Sequence, residues 1–331
     1  MIGTEHGIHT FSLKIRRKYS ELQNIVEQNE CIGTSKDKYG LSRYYQITSY
    51  KSIGVEILLS QSISRPCWLT LIVNPSSLLT DSDEPTALFC ADHRLIQRVK
   101  HCLRGILDEI GVEERLKAFK LSRCDLTCNR YYESKRDISE RLEIFRKSLL
   151  MPRYRVVAFG EYMKSDAIIK AADKHSWTIE NKSKSCAFSV YDKAYELRKR
   201  HDIDISEHIL RLELRFGRAK LTKITRSKDW EEQLIELGSE AEKQLHKFLH
   251  RLQMPEFDPV PLSELLDRIN SSNYREKAKK KLRRIAKKAN SCVSLAAVRK
   301  ECRIKKSDFI KLLGKFEEMG VCCIPQAEKH T

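Results

Sequence analysis

Apolar and polar residues alternate over residues 7–15, and similar stretches rich in β-branched and aromatic residues recur at 43–50, 55–59 and 68–73. A period of two sends one set of side chains to a buried face and the other to an open one, so each stretch predicts a strand. Asn74-Pro75 ends the last of them. From 93 to 110 the period changes. Leu95, Ile96, Val99, Leu103, Ile106, Leu107 and Ile110 recur at helical spacing. A second series follows, with strands predicted at 119–129, 155–159, 177–179, 187–193 and 209–216 and a helix at 138–150. Two strand-rich halves, each carrying a helix, predict an α+β fold on a mainly antiparallel sheet. The halves show no residue-level repeat.

Beyond the last strand, Trp230, Leu234, Leu237, Ala241, Leu245, Phe248 and Leu252 predict one long helix, stopped by Pro255, Pro259 and Pro261. A domain boundary is expected there, with residues 1–253 forming the larger unit and 254–331 a basic helical one. Between 274 and 288 stand nine Lys and Arg residues against one acid, Glu276. Their spread suggests a segment cationic on every face. Residues 294–302 and 307–319 predict two short helices with a tight connection, Ser307 as an N-cap and Gly320 as a stop. The pair has the size of a helix-turn-helix, a size shared by any helical hairpin.

Composition narrows the function. The chain has 331 residues and a net charge of +17 from 62 Lys and Arg. A field of that sign attracts polyanions, and phosphate neutralisation supplies most non-specific nucleic-acid affinity. A merely basic soluble surface is the plainer alternative. The 41% hydrophobic content is enough for a core. No apolar run reaches the ~18 residues of a membrane span, and no signal peptide is expected. The eleven cysteines are irregularly spaced, which fits small core residues in a reducing compartment better than disulfides or structural zinc. A bacterial cytoplasm is the expected location.

Three predicted strands carry chemistry. Arg123, Asp125 and Thr127 share one face of the first, opposite Cys124, Leu126 and Cys128. By the same parity Ser189, Tyr191 and Lys193 oppose Phe188 and Val190, and Arg211, Glu213 and Arg215 oppose Leu210, Leu212, Leu214 and Phe216. If the strands are neighbours, two carboxylates stand beside a tyrosine and a lysine. Carboxylates suit Mg²⁺ or Mn²⁺, a divalent ion offsets charge on a scissile phosphate, and a nearby cation lowers the phenol's pKa from ~10. Ordinary packing of Tyr191 and surface ion pairing of Asp125 and Glu213 with Arg123, Arg211 or Arg215 are the plainer readings. Tyr195 and Tyr154 compete as nucleophiles by residue type alone.

The ordered set Ser122-Arg123-Cys124-Asp125-Leu126-Thr127, then Val190-Tyr191-Asp192-Lys193-Ala194-Tyr195-Glu196-Leu197, then Leu210-Arg211-Leu212-Glu213-Leu214-Arg215 resembles the gene II/gene X replication initiators of filamentous phages, with relatives among Rep_trans-type plasmid initiators. The resemblance covers roughly residues 121–220. It implies a rolling-circle initiator: a metal-dependent endonuclease that cuts one strand at an origin, stays attached through a 5′-phosphotyrosine and later rejoins the displaced strand. Tyr191 falls on the nucleophile, Lys193 on the following lysine, and Asp125, Glu213 and Glu196 on candidate ligands for Mg²⁺ or Mn²⁺. The His-hydrophobe-His motif of the other large rolling-circle class is missing, since His6 and His9 are too far apart. Asp192 has no assigned role. Implied partners are double-stranded origin DNA, the displaced single strand and a host helicase. Arg123, Arg211 and Arg215, together with Lys279, Lys280, Lys281, Arg283, Arg284, Lys287 and Lys288, are the expected DNA contacts. A non-catalytic DNA-binding regulator of the same fold and an RNA-associated basic protein are the alternatives.

Overall fold

The computed structural model describes residues 1–36, 42–79, 85–148, 153–158, 161–162, 174–252, 259–292 and 294–326. The first half runs β1 (Gly3–Arg17), α1 (Tyr19–Gln28), β2 (Cys31–Lys36), β3 (Ser42–Ile47), β4 (Val55–Ser62), β5 (Cys67–Val73), α2 (Pro75–Leu79) and α3 (His93–Glu109). The second runs β6 (Lys120–Tyr132), α4 (Lys135–Lys147), β7 (Tyr154–Ala158), β8 (Glu161–Tyr162), β9 (Ser176–Asn181), β10 (Cys186–Asp192), α5 (Lys193–His201) and β11 (His208–Gly217). Then come α6 (Arg218–Ile224), α7 (Trp230–Ser239), α8 (Ala241–Arg251), α9 (Leu262–Ser271), α10 (Glu276–Ser291), α11 (Leu295–Glu301) and α12 (Lys306–Glu318).

Among the described residues the strands form one sheet of eleven, in the order β2-β3-β4-β5-β1-β6-β11-β10-β9-β7-β8. Each pairing is antiparallel, so the protein is α+β. Each half opens with a long strand and a helix, then meanders back until its last strand pairs with its first. The two opening strands, β1 and β6, join the halves at the centre of the sheet. The fold is thus duplicated in topology, although the sequence halves share no repeat.

Strand parity decides the two faces. Phe11, Leu13, Cys124, Leu126, Phe188, Val190, Leu212 and Leu214 are buried on one side. The Phe11 ring stacks on Trp230 of α7 at 6.2 Å, and the Trp230 indole N–H donates to the Leu116 carbonyl at 3.1 Å. Phe188 packs against Phe145 of α4 and Phe248 of α8. The opposite face carries Thr10, Ser12, Asp125, Thr127, Asn129 and Arg211, polar yet buried. Buried polar groups need partners, and the segment before α3 supplies some of them. It bridges to β1 through Ile8 and Phe89, and a side chain at Gly7 would put its Cβ 2.9 Å from that of Leu88.

Helix ends follow local chemistry. Asp92 caps α3 by accepting from the Leu95 N–H at 2.7 Å, and Ser134 with Asp137 forms a capping box on α4. Four expectations need correction. The stretch 230–252 is two helices, α7 and α8, broken after Gly238-Ser239, both weaker helix formers than their neighbours. Lys193 lies in α5 rather than on a strand, because Asp192 caps that helix by accepting from the Tyr195 N–H at 3.1 Å. The basic segment is not cationic all round: α10 buries Leu282, Ile285, Ala286 and Ala289 along one stripe. Ser307 is not a cap, since Lys305 holds that position in α12, whereas Gly320 does stop the helix at φ 68°. Helix α1 and strand β2 went unread in the sequence, being short and offering few buried apolar positions.

All eleven cysteines are free thiols. No helix among the described residues is long and apolar enough to cross a membrane.

Candidate active site

Strands β6, β11 and β10 are consecutive in the sheet, so the residues singled out in the sequence share one face. Asp125 lies opposite Arg215, Thr127 opposite Glu213 and Asn129 opposite Arg211. Across the next ladder Ser189 lies opposite Glu213 and Tyr191 opposite Arg211. The Tyr191 hydroxyl reaches diagonally and donates to Glu213 Oε1 at 2.5 Å. Burial and the Glu213 carboxylate push the Tyr191 phenol well above its usual pKa, with Arg211 opposing them.

Glu213 is anchored from a third strand. His9 Nδ1 stands 3.2 Å from Glu213 Oε1. Strand β1 has a bulge here: Ile8 pairs with Leu126 and Thr10 with Asp125, leaving His9 as the extra residue. An unpaired bulge residue can re-aim its side chain. Burial disfavours the Glu213 carboxylate, but His9, the Tyr191 hydroxyl and Arg211 outweigh it and hold its pKa well below the carboxylate range.

Arg211 is fully buried. Its Nε donates to Asn129 Oδ1 at 2.8 Å and Nη2 to the Thr86 carbonyl at 2.6 Å. Asn129 in turn donates to Glu5 Oε2 and the Thr86 carbonyl. Arg211 Nη1 is left buried with no partner among the described residues. Lys193, at the start of α5, is also buried and donates to Glu196 at 2.8 Å. Burial and the Arg211 guanidinium lower its pKa. Glu213 also acts on Lys193, and Glu196 on Tyr191. The strand pair and the helix pair therefore form one electrostatic site.

Asp125 is held differently. It is buried at 1% exposure between Arg123 and Arg215, with Arg123 Nε at 2.9 Å and Arg215 Nε at 3.1 Å from Oδ1. Glu196 bonds Lys193 and lies 3.5 Å from Arg200. Among the described residues no three His, Cys, Asp or Glu side chains gather where they could hold a metal ion. The expected trio Asp125, Glu213 and Glu196 thus does not fit a shared divalent ion. At His9 and Glu213 an imidazole nitrogen and a carboxylate oxygen converge, two donors without a third among the described residues.

The competing tyrosines are engaged elsewhere. Tyr195 stacks on His175 with ring centroids 3.6 Å apart, and Tyr154 packs edge-on against Phe248 on the helical side of the sheet. His9 went unread because a bulge leaves no mark in the alternation pattern. Thr86 contributes only a backbone carbonyl, which no side-chain motif reveals.

The expected DNA contacts divide into engaged and exposed groups. Lys279 donates to the Asn270 carbonyl, Arg283 to Asn270 and Glu276, Arg284 to the Glu301 carbonyl, and Lys288 pairs with Glu301 at 2.8 Å. Lys280, Lys281 and Lys287 are exposed on α10. Lys281 and Arg284 join Arg303 and Lys305 around a cationic hollow beside α12.

No family model matches the chain, and neither does any curated protein. Among solved structures the chain is similar to one titled "Structure of Rolling Circle Replication Initiator Protein from Geobacillus stearothermophilus", over 77% of this chain and 88% of that one, at 10% identity and a TM-score of 0.39.

Proposed function

We propose that the protein is a rolling-circle replication initiator that nicks one DNA strand with Tyr191 and rejoins it by the reverse reaction. The observation that carries this reading is the Tyr191 hydroxyl bonded to Glu213 at 2.5 Å, beside the cations of Lys193 and Arg211 that act on it or on its partner. A tyrosine placed only for packing belongs on the apolar side of the sheet with Phe188 and Val190, whereas Tyr191 stands on the polar face among a carboxylate and two buried cations.

The chemistry follows from the groups present. The Tyr191 oxygen attacks the scissile phosphorus, forming a phosphotyrosine bond to the 5′ side as the bond to the 3′ oxygen breaks. The phenolic proton leaves to solvent base as the phenolate forms; Glu213, kept ionised by its depressed pKa, orients the phenol oxygen through the existing hydrogen bond, and His9 positions that carboxylate. The buried Arg211 guanidinium contributes positive charge beneath the site, where negative charge builds in the transition state. Lys193 gives a proton to the departing 3′ oxygen, and its lowered pKa makes it the better acid for that step. On rejoining, the 3′-hydroxyl attacks, the phenol recovers its proton and Lys193 is the base.

A divalent ion, Mg²⁺ or Mn²⁺, would be held by His9 and Glu213 and would offset charge on the phosphate. Asp125 then acts through Arg123 and Arg215, fixing two guanidiniums that can meet the DNA backbone. Residues 1–253 would form the nicking unit, with the exposed lysines of α10 in a second, DNA-binding unit (254–331). Origin duplex and the displaced single strand are the proposed substrates, with a host helicase as partner and the bacterial cytoplasm as the setting.

The test is a gel assay for a covalent adduct on end-labelled single-stranded oligonucleotides carrying the origin from the neighbouring DNA, with Mn²⁺ or with EDTA. An adduct mapping to Tyr191 supports the reading. Tight binding without any adduct favours a non-catalytic DNA-binding regulator.

A further inference from the structure

The duplicated topology gives the first half-sheet a counterpart of the nicking face. Counting back from the pairs Val55↔Val73↔Phe11 and Cys186↔Phe216↔Cys124, Ser60 takes the register position of Tyr191, and Trp68 that of Arg211. The counterpart therefore lacks the tyrosine but keeps an open polar face. Opposed residues of antiparallel strands point to the same side, so Arg16, Trp68, Ser60 and Tyr44 form one row across β1, β5, β4 and β3. The adjacent row brings Lys14 beside Thr70 on one side and Lys120 on the other.

These rows combine an aromatic surface with crowded positive charge. Lys14 Nζ stands 4.4 Å from the Trp68 ring centroid. Burial and the Arg218 guanidinium both act against the Lys14 charge, a situation that an incoming anion relieves. Arg16 and Lys120 are exposed and Trp68 is half-buried. The carboxylate on this face, Glu56, is hydrogen-bonded to Gln46. Basic groups interleaved with an aromatic ring are what a flexible phosphate chain with unstacked bases requires.

We propose that the open face of the first half-sheet is a platform for single-stranded DNA, with Trp68 stacking on a base and Lys14, Arg16 and Lys120 contacting phosphates. When a base takes the ring, the Lys14 ammonium moves from it to a phosphate. The platform continues the nicking face along β1: His9 and Lys14 are about 17 Å apart at ~3.4 Å per extended residue. A strand held there leads toward Tyr191 without being cut. The choice of DNA rests on the proposed nicking function, but the platform does not need that chemistry to work.

The test uses the full chain carrying Tyr191→Phe, so that cleavage plays no part. Of the three tryptophans, Trp177 and Trp230 are buried, so fluorescence quenching by a base reports on Trp68. Titration with oligo(dT) is expected to give saturable quenching that weakens with salt. Added Trp68→Ala should abolish the quenching and weaken binding of a labelled oligonucleotide 5- to 150-fold, the effect of one base–aromatic stack worth ~1–3 kcal/mol. Trp68→Phe should keep binding within a few-fold, which excludes misfolding as the cause of loss. Lys14→Gln should flatten the salt dependence. Full-affinity binding without quenching, or quenching by oligo(rU) but not oligo(dT), overturns the proposal. Failure of the nicking reading shows separately, as a missing adduct in the unsubstituted protein.

Discussion

His9 Nδ1 lies 3.2 Å from Glu213 Oε1 although their strands are not neighbours, because the bulge at His9 swings the ring across β6 to β11. The pair couples the first strand of the fold to the last. It also makes the hydrogen-bond acceptor of the Tyr191 hydroxyl dependent on a residue some two hundred positions away. His9→Gln keeps a hydrogen-bonding side chain but removes the imidazole. Adduct formation measured in a single turnover should fall about 10²-fold, the scale of one lost electrostatic group, with oligonucleotide binding almost unchanged. An equal loss of binding would assign His9 to DNA contact instead.

Glu213 itself carries a stability signature. Its folded pKa lies below the ordinary value, so its contribution is present above the unfolded value of ~4.3 and is lost as pH falls through the folded one. Thermal unfolding of the native protein and of Glu213→Gln should therefore converge as the pH is taken below ~4. A constant gap between the two curves down to pH 2 would contradict the assigned direction.

Tyr191→Phe should eliminate the covalent adduct while leaving DNA affinity within a few-fold, because the ring still packs and only the nucleophile is gone. Tyr195→Phe should retain the adduct, since that ring, on α5, is stacked on His175. Mass spectrometry of the adduct peptide distinguishes the two. A phosphotyrosine on Tyr195 would move the nucleophile.

Lys193 predicts the shape of the pH profile. With a phenol pKa raised and a lysine pKa lowered, the reactive form pairs a phenolate with an ammonium. The adduct rate should rise with pH, then level off below the usual lysine value of ~10.4. Lys193→Met should be slower by ~10²–10⁴-fold and should go on rising through the pH at which the native enzyme levels off. A plateau unchanged in Lys193→Met would exclude it as the acid.

Asp125→Asn should destabilise the fold by about 3 kcal/mol, the low end for a broken buried pair because Arg215 is itself half exposed. Urea unfolding measures this. Mn²⁺ affinity should stay the same in Asp125→Asn and drop in Glu213→Gln. The reverse order would restore Asp125 as a metal ligand.

Alternation alone was enough to read most strands of the sheet and the face on which Asp125, Tyr191 and Glu213 stand, because strand parity is a property of the chain itself. It also marked α3, whose apolar stripe repeats over four turns. Everything that depends on a second segment was hidden. Lys193 reads as the next strand residue until Asp192 caps α5. The basic run at 274–288 reads as cationic all round until its packing partners bury Leu282, Ile285 and Ala286. Asp125 reads equally as a metal ligand or as an ion-pair partner of Arg123, Arg211 or Arg215 until the register sets Arg215, ninety residues later, opposite it. His9 and Trp68 were given no role at all: one is aimed by a bulge, the other placed by the register of four strands. Local periodicity determines which side chains face out; only strand pairing decides which of them meet, because partners within hydrogen-bond reach come from segments whose separation in sequence carries no signal.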